Sequence, residues 1–252
     1  MTKVILSGCN GHMGRVLTQL CQADPEIEIV AGFDINTVRQ DEYPVYASPM
    51  DYTGPADCII DFSSPAALPG LLEFCRSRGC GVVLATTGYS EQDLAAIDQA
   101  SQSIRIFRSA NMSLGINVMM ELVKQAARLL EGYDIEILEK HHNRKVDAPS
   151  GTALMLADAA SEGVSYEPDY TFERHSRRQS REKTEIGISS VRGGTIVGEH
   201  EVIFAGRDEV ITLHHSAASR EIFASGAVKA AKFLAARTSP GIYNMQQLVA
   251  EE

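Results

Sequence analysis

Val4-Ile5-Leu6-Ser7-Gly8-Cys9-Asn10-Gly11-His12-Met13-Gly14-Arg15 runs from an apolar, β-branched stretch directly into three glycines spaced three apart, and a helical pattern carrying Val16, Leu17 and Leu20 follows. Glycine is needed where a strand turns sharply into a helix and its backbone must approach a pyrophosphate closely. The free N–H groups at the helix start then receive the anion. The spacing predicts a Gly-x-x-Gly-x-x-Gly variant of the dinucleotide-binding turn. Asp34 stands twenty residues after Gly14 at the end of the next predicted strand, where a carboxylate accepts hydrogen bonds from an adenosine ribose.

Outward from this turn, short β-rich runs alternate with amphipathic stretches: Lys3 to Ser7, a helix from Gly11, Ile27 to Phe33, Cys58 to Phe62, Gly81 to Thr86 and Arg105 to Ser109. That alternation predicts an α/β domain, a Rossmann-type parallel sheet wound with helices. After Asn111 the pattern changes to a helix from Ser113 to Leu130, a strand from Asp134 to Glu139, a polar loop and a helix from Gly151. Three β-like segments follow, Glu185 to Arg192, Ile196 to Ala205 and Glu209 to His215. Successive strands without helices between them indicate a smaller α+β domain with a mixed sheet.

The expected division is residues 1–112, completed by 219–252, for the dinucleotide and 113–218 for substrate binding and oligomerisation, with hinges near Asn111 to Ser113 and near Ser219. Arg220 to Arg237 places Phe223, Ala227, Ala230, Ala231 and Leu234 on one helical face, suited to packing on the first domain. The segment 173–184 (ERHSRRQSREKT) has no apolar periodicity and reads as a solvated, mobile loop.

A net charge of -10 and a pI near 5.2 argue against a nucleic-acid-binding surface. The start MTKVILSGCNG lacks an export signal, and no run of apolar residues is long enough to cross a membrane, so a cytoplasmic location is expected. Cys9, Cys21, Cys58, Cys75 and Cys80 form no C-x-x-C pair and read as buried reduced thiols.

Two further segments lie at predicted strand ends, where ligands of open α/β sheets bind: Ala85-Thr86-Thr87-Gly88 and Ser109-Ala110-Asn111-Met112-Ser113. The chemistry concentrates in Glu139-Lys140-His141-His142-Asn143-Arg144-Lys145-Val146-Asp147-Ala148-Pro149-Ser150-Gly151-Thr152-Ala153. Histidine is the side chain best suited to general acid work near neutral pH, and fixed cations suit an anionic substrate. Ser150-Gly151-Thr152 opens a helical run, so backbone N–H groups and a hydroxyl can cradle a carboxylate. His175, His200, His214 and His215 form no zinc motif with the pair, and no metal is expected.

The run His-His-x-x-Lys-x-Asp-Ala-Pro-Ser-Gly-Thr-Ala, His141 to Ala153, resembles the signature of the dihydrodipicolinate reductase family. Gly8 to Arg15, Thr86 to Gly88, Ala110 to Gly115, Val191 to His200 and Gly241 to Met245 resemble that family as well, so the likeness spans the chain. The resemblance implies reduction of the cyclic imine dicarboxylate derived from 4-hydroxy-tetrahydrodipicolinate, in diaminopimelate and lysine biosynthesis, with NADH or NADPH as hydride source. It implies His141 as proton donor and acceptor, Lys145 as second proton donor, and His142, Ser150, Gly151 and Thr152 as substrate contacts.

The cofactor contacts implied are Gly8, Cys9, Asn10, Gly11, His12, Met13, Asp34, Ala85, Thr86, Thr87, Ser109, Ala110, Asn111 and Met112. Ala85 stands where the family has glycine and His12 where it commonly has Lys or Arg. With Asp34 facing the ribose and no basic neighbour in Ile35 or Asn36, NADH is favoured over NADPH, and dual use stays open. His12 and Arg39 are the cations that could offset Asp34. The family also implies a homotetramer built through the second-domain sheet. The alternatives are another dinucleotide-dependent dehydrogenase, which has no need of the His141 to Ala153 run, or a nucleotide-binding module without activity.

Overall fold

The computed structural model describes residues 1–251, which form two compact units. The first comprises Met1–Leu114 with the C-terminal segment from Glu221, and the second Gly115–Arg220. From the N-terminus the chain runs β1 (Thr2–Ser7), α1 (His12–Ala23), β2 (Ile27–Phe33), β3 (Val45–Tyr46), β4 (Cys58–Asp61), α2 (Leu68–Arg78), β5 (Gly81–Leu84), α3 (Glu91–Ala100) and β6 (Arg105–Arg108). It continues with α4 (Leu114–Leu129), β7 (Asp134–His141), α5 (Gly151–Ser161), β8 (Asp169–Thr171), β9 (Glu185–Arg192), β10 (Gly198–Ala205) and β11 (Val210–Ala217). It closes with α6 (Glu221–Ala235), β12 (Gly241–Tyr243) and α7 (Met245–Glu251).

The first unit is an α/β domain on a seven-stranded, wholly parallel sheet of order β12-β6-β5-β4-β1-β2-β3. Its central strands are apolar on both faces because helices cover both: Val4, Ile5, Leu6, Ile59, Ile60, Val82 and Val83 are fully buried. The chain leaves β1 for β2 on one side and reaches β4 on the other, so the turn after β1 lies where the strand order reverses. α6 covers β1, β4, β5 and β6 through a face of small residues, Ala224, Ala227, Ala230 and Ala231, that lets it approach closely. All five cysteines are free and buried.

The second unit is built on a mixed five-stranded sheet of order β11-β10-β7-β9-β8, in which β10 is antiparallel to its neighbours and β7, β8 and β9 are parallel. Along β7 burial alternates with period two, and Ile135, Ile137, Glu139 and His141 share the buried face. Register sets Phe204, Val202 and His200 of β10 and Ile186, Ile188 and Ser190 of β9 beside the first three of these. The core residues of α4 and α5, among them Met119, Val123, Leu156 and Ala157, cover the apolar part. One face of one sheet therefore begins as core and ends as a polar site.

Most expected elements are present, but β7 runs two residues further than expected, so His141 is held on a strand and not in the loop. Ile196 and Val197 precede β10 instead of forming it, and the short β3, β8 and β12 add strands that the sequence pattern did not announce. Segment 173–184 carries ion pairs that its sequence pattern did not announce. Arg174 bridges Glu185 at 2.5 Å and Glu136 at 2.6 Å, while Arg181 pairs with Asp134 and donates to the Ile135 and Glu185 carbonyls. Gly187 makes this possible, since a Cβ there would overlap the Glu136 carboxylate.

Gly226 of α6 is tighter still: a Cβ would overlap the Met112 carbonyl oxygen, which is backbone and cannot swing aside. Gly226→Ala is expected to destabilise the first unit by about 1–3 kcal/mol, the usual range for overpacking, measured as a lower midpoint in urea unfolding. An unchanged midpoint would show that α6 does not rest on this contact.

Candidate active site

Two groups of polar residues, one in each unit, make up the candidate site. In the first, Gly8 takes φ 78°, and a Cβ on it would meet the Phe62 carbonyl oxygen at 2.7 Å. A Cβ on Gly14 would overlap the carbonyl oxygens of Gly8 and Cys9. The turn is therefore closed to side chains at both points. Gly11 caps α1 without any side-chain hydrogen bond, so the N–H groups of the first turn stay available to an anion. This cradle fits a dinucleotide pyrophosphate.

Asp34 accepts from the Asn10 N–H at 2.9 Å and from the Asn36 N–H at 3.0 Å, and the Asn10 side chain donates to the carbonyls of Asn36 and Val38. The carboxylate thus ties the glycine turn to the segment after β2 while retaining further lone pairs for a ribose. Arg39 donates to the carbonyls of Asp41 and Glu42, and His12 is exposed at the start of α1. Cys9 is buried with its sulfur against Gly32, so only its backbone faces the turn's outer side.

Thr86 donates to the buried Asp61 at 2.7 Å and accepts from the Ser63 N–H at 3.0 Å, which fixes the segment after β5 against the end of β4. Ala85 is half-buried beside it and Thr87 exposed. Beyond β6, Ser109 and Asn111 are half-buried, Ala110 is exposed, and Met112 lies in the core. Asn111 Oδ1 accepts from the Ser113 N–H at 2.9 Å.

In the second unit, Glu139 is fully buried and meets four N–H groups. Arg192 grips both carboxylate oxygens at 2.7 and 2.8 Å, His141 Nδ1 lies 2.6 Å away and the Ser150 N–H donates at 3.1 Å. Burial pushes the Glu139 carboxyl up, but hydrogen bonds from Arg192, Ser190 and His141 outweigh it and hold the group at about 2. Arg192 also donates to the Asp147 carbonyl at 2.6 Å, which ties down the loop carrying Lys145. Lys145 Nζ lies 2.8 Å from Asp147, a pairing that keeps the Asp147 carboxyl below its usual range.

Ser150 caps α5 by accepting from the Ala153 N–H at 3.1 Å, and its hydroxyl also meets His200 Nε2 at 3.0 Å. A Cβ at Gly151 would meet no atom within 4 Å, so the space before the helix start is open. Thr152 follows on α5, half-buried. The rings of His141 and His200 meet edge to face with centroids 5.2 Å apart. Nδ1 of both His142 and His200 is buried without a hydrogen-bond partner, a state that a polar ligand would relieve. Burial, followed by Arg144 and Arg220, pushes His142 down.

On the sheet's other face Glu199, Glu201 and His214 place ligand atoms within 4.8 Å of one another, but Lys140 Nζ is 3.3 and 2.6 Å from the two carboxylates and supplies the cation itself.

The sequence pattern singles out His141, Lys145, Ser150 and Gly151 but gives no role to Glu139, Arg192, His200 or Asp61. For Glu139 a signal existed: a carboxylate continuing the buried period of Ile135 and Ile137 must be paired. Arg192 and His200 become neighbours of Glu139 only through strand register.

A protein-family model described as dihydrodipicolinate reductase, N-terminus, matches residues 2–112, and one described as dihydrodipicolinate reductase, C-terminus, matches residues 115–249. A 4-hydroxy-tetrahydrodipicolinate reductase of Caldanaerobacter subterraneus subsp. tengcongensis is 54% identical over 249 residues, covering 99% of this chain and 98% of the relative. One from Clostridium perfringens is 47% identical over 251 residues, covering 99% and 98%. The solved dipicolinate-bound dihydrodipicolinate reductase from Paenisporosarcina sp. TG-14 shares the fold with a TM-score of 0.80 at 23% identity, over 98% of this chain and 99% of that one.

His200 gives the site a pH signature. Burial, with His141 beside it, pushes this ring down from the ordinary 6.5 to about 4. The unfolded chain therefore binds the proton first, so the stability that neutral His200 contributes is complete above about pH 6.5 and is lost as pH falls toward about 4. Urea unfolding should show stability declining through that window by up to roughly 1.4 kcal/mol per pH unit, and His200→Gln should flatten the decline. An equal slope in the variant would assign it to other groups.

Proposed function

The chain belongs to the dihydrodipicolinate reductase family, and from that premise we propose that it reduces the cyclic imine dicarboxylate formed by loss of water from 4-hydroxy-tetrahydrodipicolinate. The pathway is that of diaminopimelate and lysine, and the reductant is NAD(P)H. The observation that carries this reading is the joining, within one unit, of His141, the Lys145 loop and the Ser150-Gly151-Thr152 helix start through a single buried carboxylate. A nicotinamide, when bound, supplies the hydride. Everything else falls to this chain's side chains. His141 donates the proton to the ring carbon that becomes carbanion-like, and Lys145 and the N–H groups at Gly151 and Thr152 receive the carboxylates. His142 Nδ1 adds a buried polar atom suited to the same ligand.

NADH is the favoured cofactor in this reading. Asp34 stands where a negative charge would face the ribose, with no basic residue at Ile35 or Asn36 to offset it, and Arg39 donates to the Asp41 and Glu42 carbonyls. A homotetramer built through the strands between Glu185 and His215 and a cytoplasmic location belong to the same proposal. No helix among the described residues is long and apolar enough to cross a membrane.

Two experiments test the reading. His141→Gln should lower kcat by roughly 100-fold or more with little change in KM, whereas Lys145→Met should lower kcat and raise KM together, because a charge is lost in ground and transition states alike. Both should bind NADH normally; near-native kcat in His141→Gln would remove His141 as donor. For the cofactor, Asp34→Asn should weaken NADH more than NADPH, and equal effects would take Asp34 out of the ribose site.

A further inference from the structure

His141 has two ring nitrogens, and they face different surroundings. Nδ1 is 2.6 Å from Glu139 Oε2, at a carboxylate that is fully buried and gripped on both oxygens by Arg192. Nε2 lies on the side of Gly198, the first residue of β10, where a Cβ would come within 3.1 Å of it. Glycine at 198 thus leaves Nε2 uncrowded. Ser150 adds a third tie, because its N–H donates to the other Glu139 oxygen while its hydroxyl caps α5.

We propose that Glu139, held by Arg192, is a positioning residue that keeps the Nδ1 proton of His141 in place and leaves Nε2 as the atom that gives up the catalytic proton. This rests on the reading of His141 as proton donor. An ionised carboxylate can only accept, so Nδ1 must carry hydrogen whether the ring is neutral or charged. The proton that moves is then the one on Nε2: the Nε2–H bond breaks, its electron pair stays on nitrogen, and the carbanion-like carbon forms the new C–H bond with its own pair. The ring left behind is the neutral tautomer that Glu139 stabilises, ready to take a proton from solvent at Nε2. The same carboxylate fixes the start of α5 through the Ser150 N–H, so one group sets both the donor's direction and the position of the carboxylate cradle.

The test is nitrogen NMR of protein labelled with 15N-histidine, joined to a double-mutant cycle. In the wild type at a pH where His141 is neutral, Nδ1 should carry the proton and Nε2 should not. Glu139→Gln should abolish that preference and lower kcat at least roughly tenfold with a smaller change in KM, as expected when a histidine loses the partner that sets its tautomer. Placed on His141→Gln, the same change should cost little more, because both act through one ring. A resting His141 protonated on Nε2, a tautomer unmoved in Glu139→Gln, or a loss that adds fully to that of His141→Gln would overturn the proposal. Should Glu139→Gln fail to fold, Glu139→Asp keeps the charge for Arg192 but is one methylene too short to hold Nδ1, and it should show the same tautomer loss. The tautomer measurement stands even if His141 proves not to be the donor, so failure of that reading and failure of this one are distinct.

Discussion

The buried carboxylate of Glu139 organises the second unit. Taking a carboxylate out of water costs several kcal/mol, and the cost is offset only where donors fill its lone pairs. Glu139 meets that condition with donors from three parts of the fold: Arg192 and Ser190 on β9, His141 on β7 and the backbone of Ser150 at the start of α5. Each donor lost leaves part of a buried carboxylate unpaired, at a cost of about 1–3 kcal/mol. The arrangement also explains why a polar site can terminate a hydrophobic core. The face that Ile135 and Ile137 bury continues through Glu139 to His141, and only pairing makes that continuation possible.

The first unit solves a different problem with the same economy of parts. Its anion cradle needs bare backbone, which Gly8 and Gly14 provide because any side chain would strike neighbouring carbonyls. Bare backbone lacks rigidity, and Asp34 and Asn10 restore it by lacing the turn to the segment after β2. Asp61 does likewise for Thr86. Both segments are thus held by a side chain from a neighbouring part of the sheet.

How much of this was legible follows from the range of the interactions involved. The glycine turn, the parallel strands and the helix beginning at Gly151 are local patterns, and they are present in the structure close to where the sequence puts them. Glu139 cannot be read as a hub from the sequence, because its partner Arg192 is fifty-three residues away and adjacent only by register. The ion pairs of segment 173–184 are illegible in the sequence for a related reason. Arg174 and Arg181 look like solvated charge until Glu136, Asp134 and Glu185 are brought opposite them by the sheet. His200, which the sequence offers only as a possible metal ligand, meets the Ser150 hydroxyl and the His141 ring.

Everything in the second unit turns on Glu139 remaining charged while buried. Titrating its side-chain carboxyl by 13C NMR measures this directly. The carboxyl should stay ionised as pH falls through the ordinary carboxylate range and take up a proton only near about 2. A Glu139 signal that titrates at or above the ordinary 4.5 would mean that Arg192 and its neighbours do not hold the charge, and the account of His141 and the helix start built on it would be wrong.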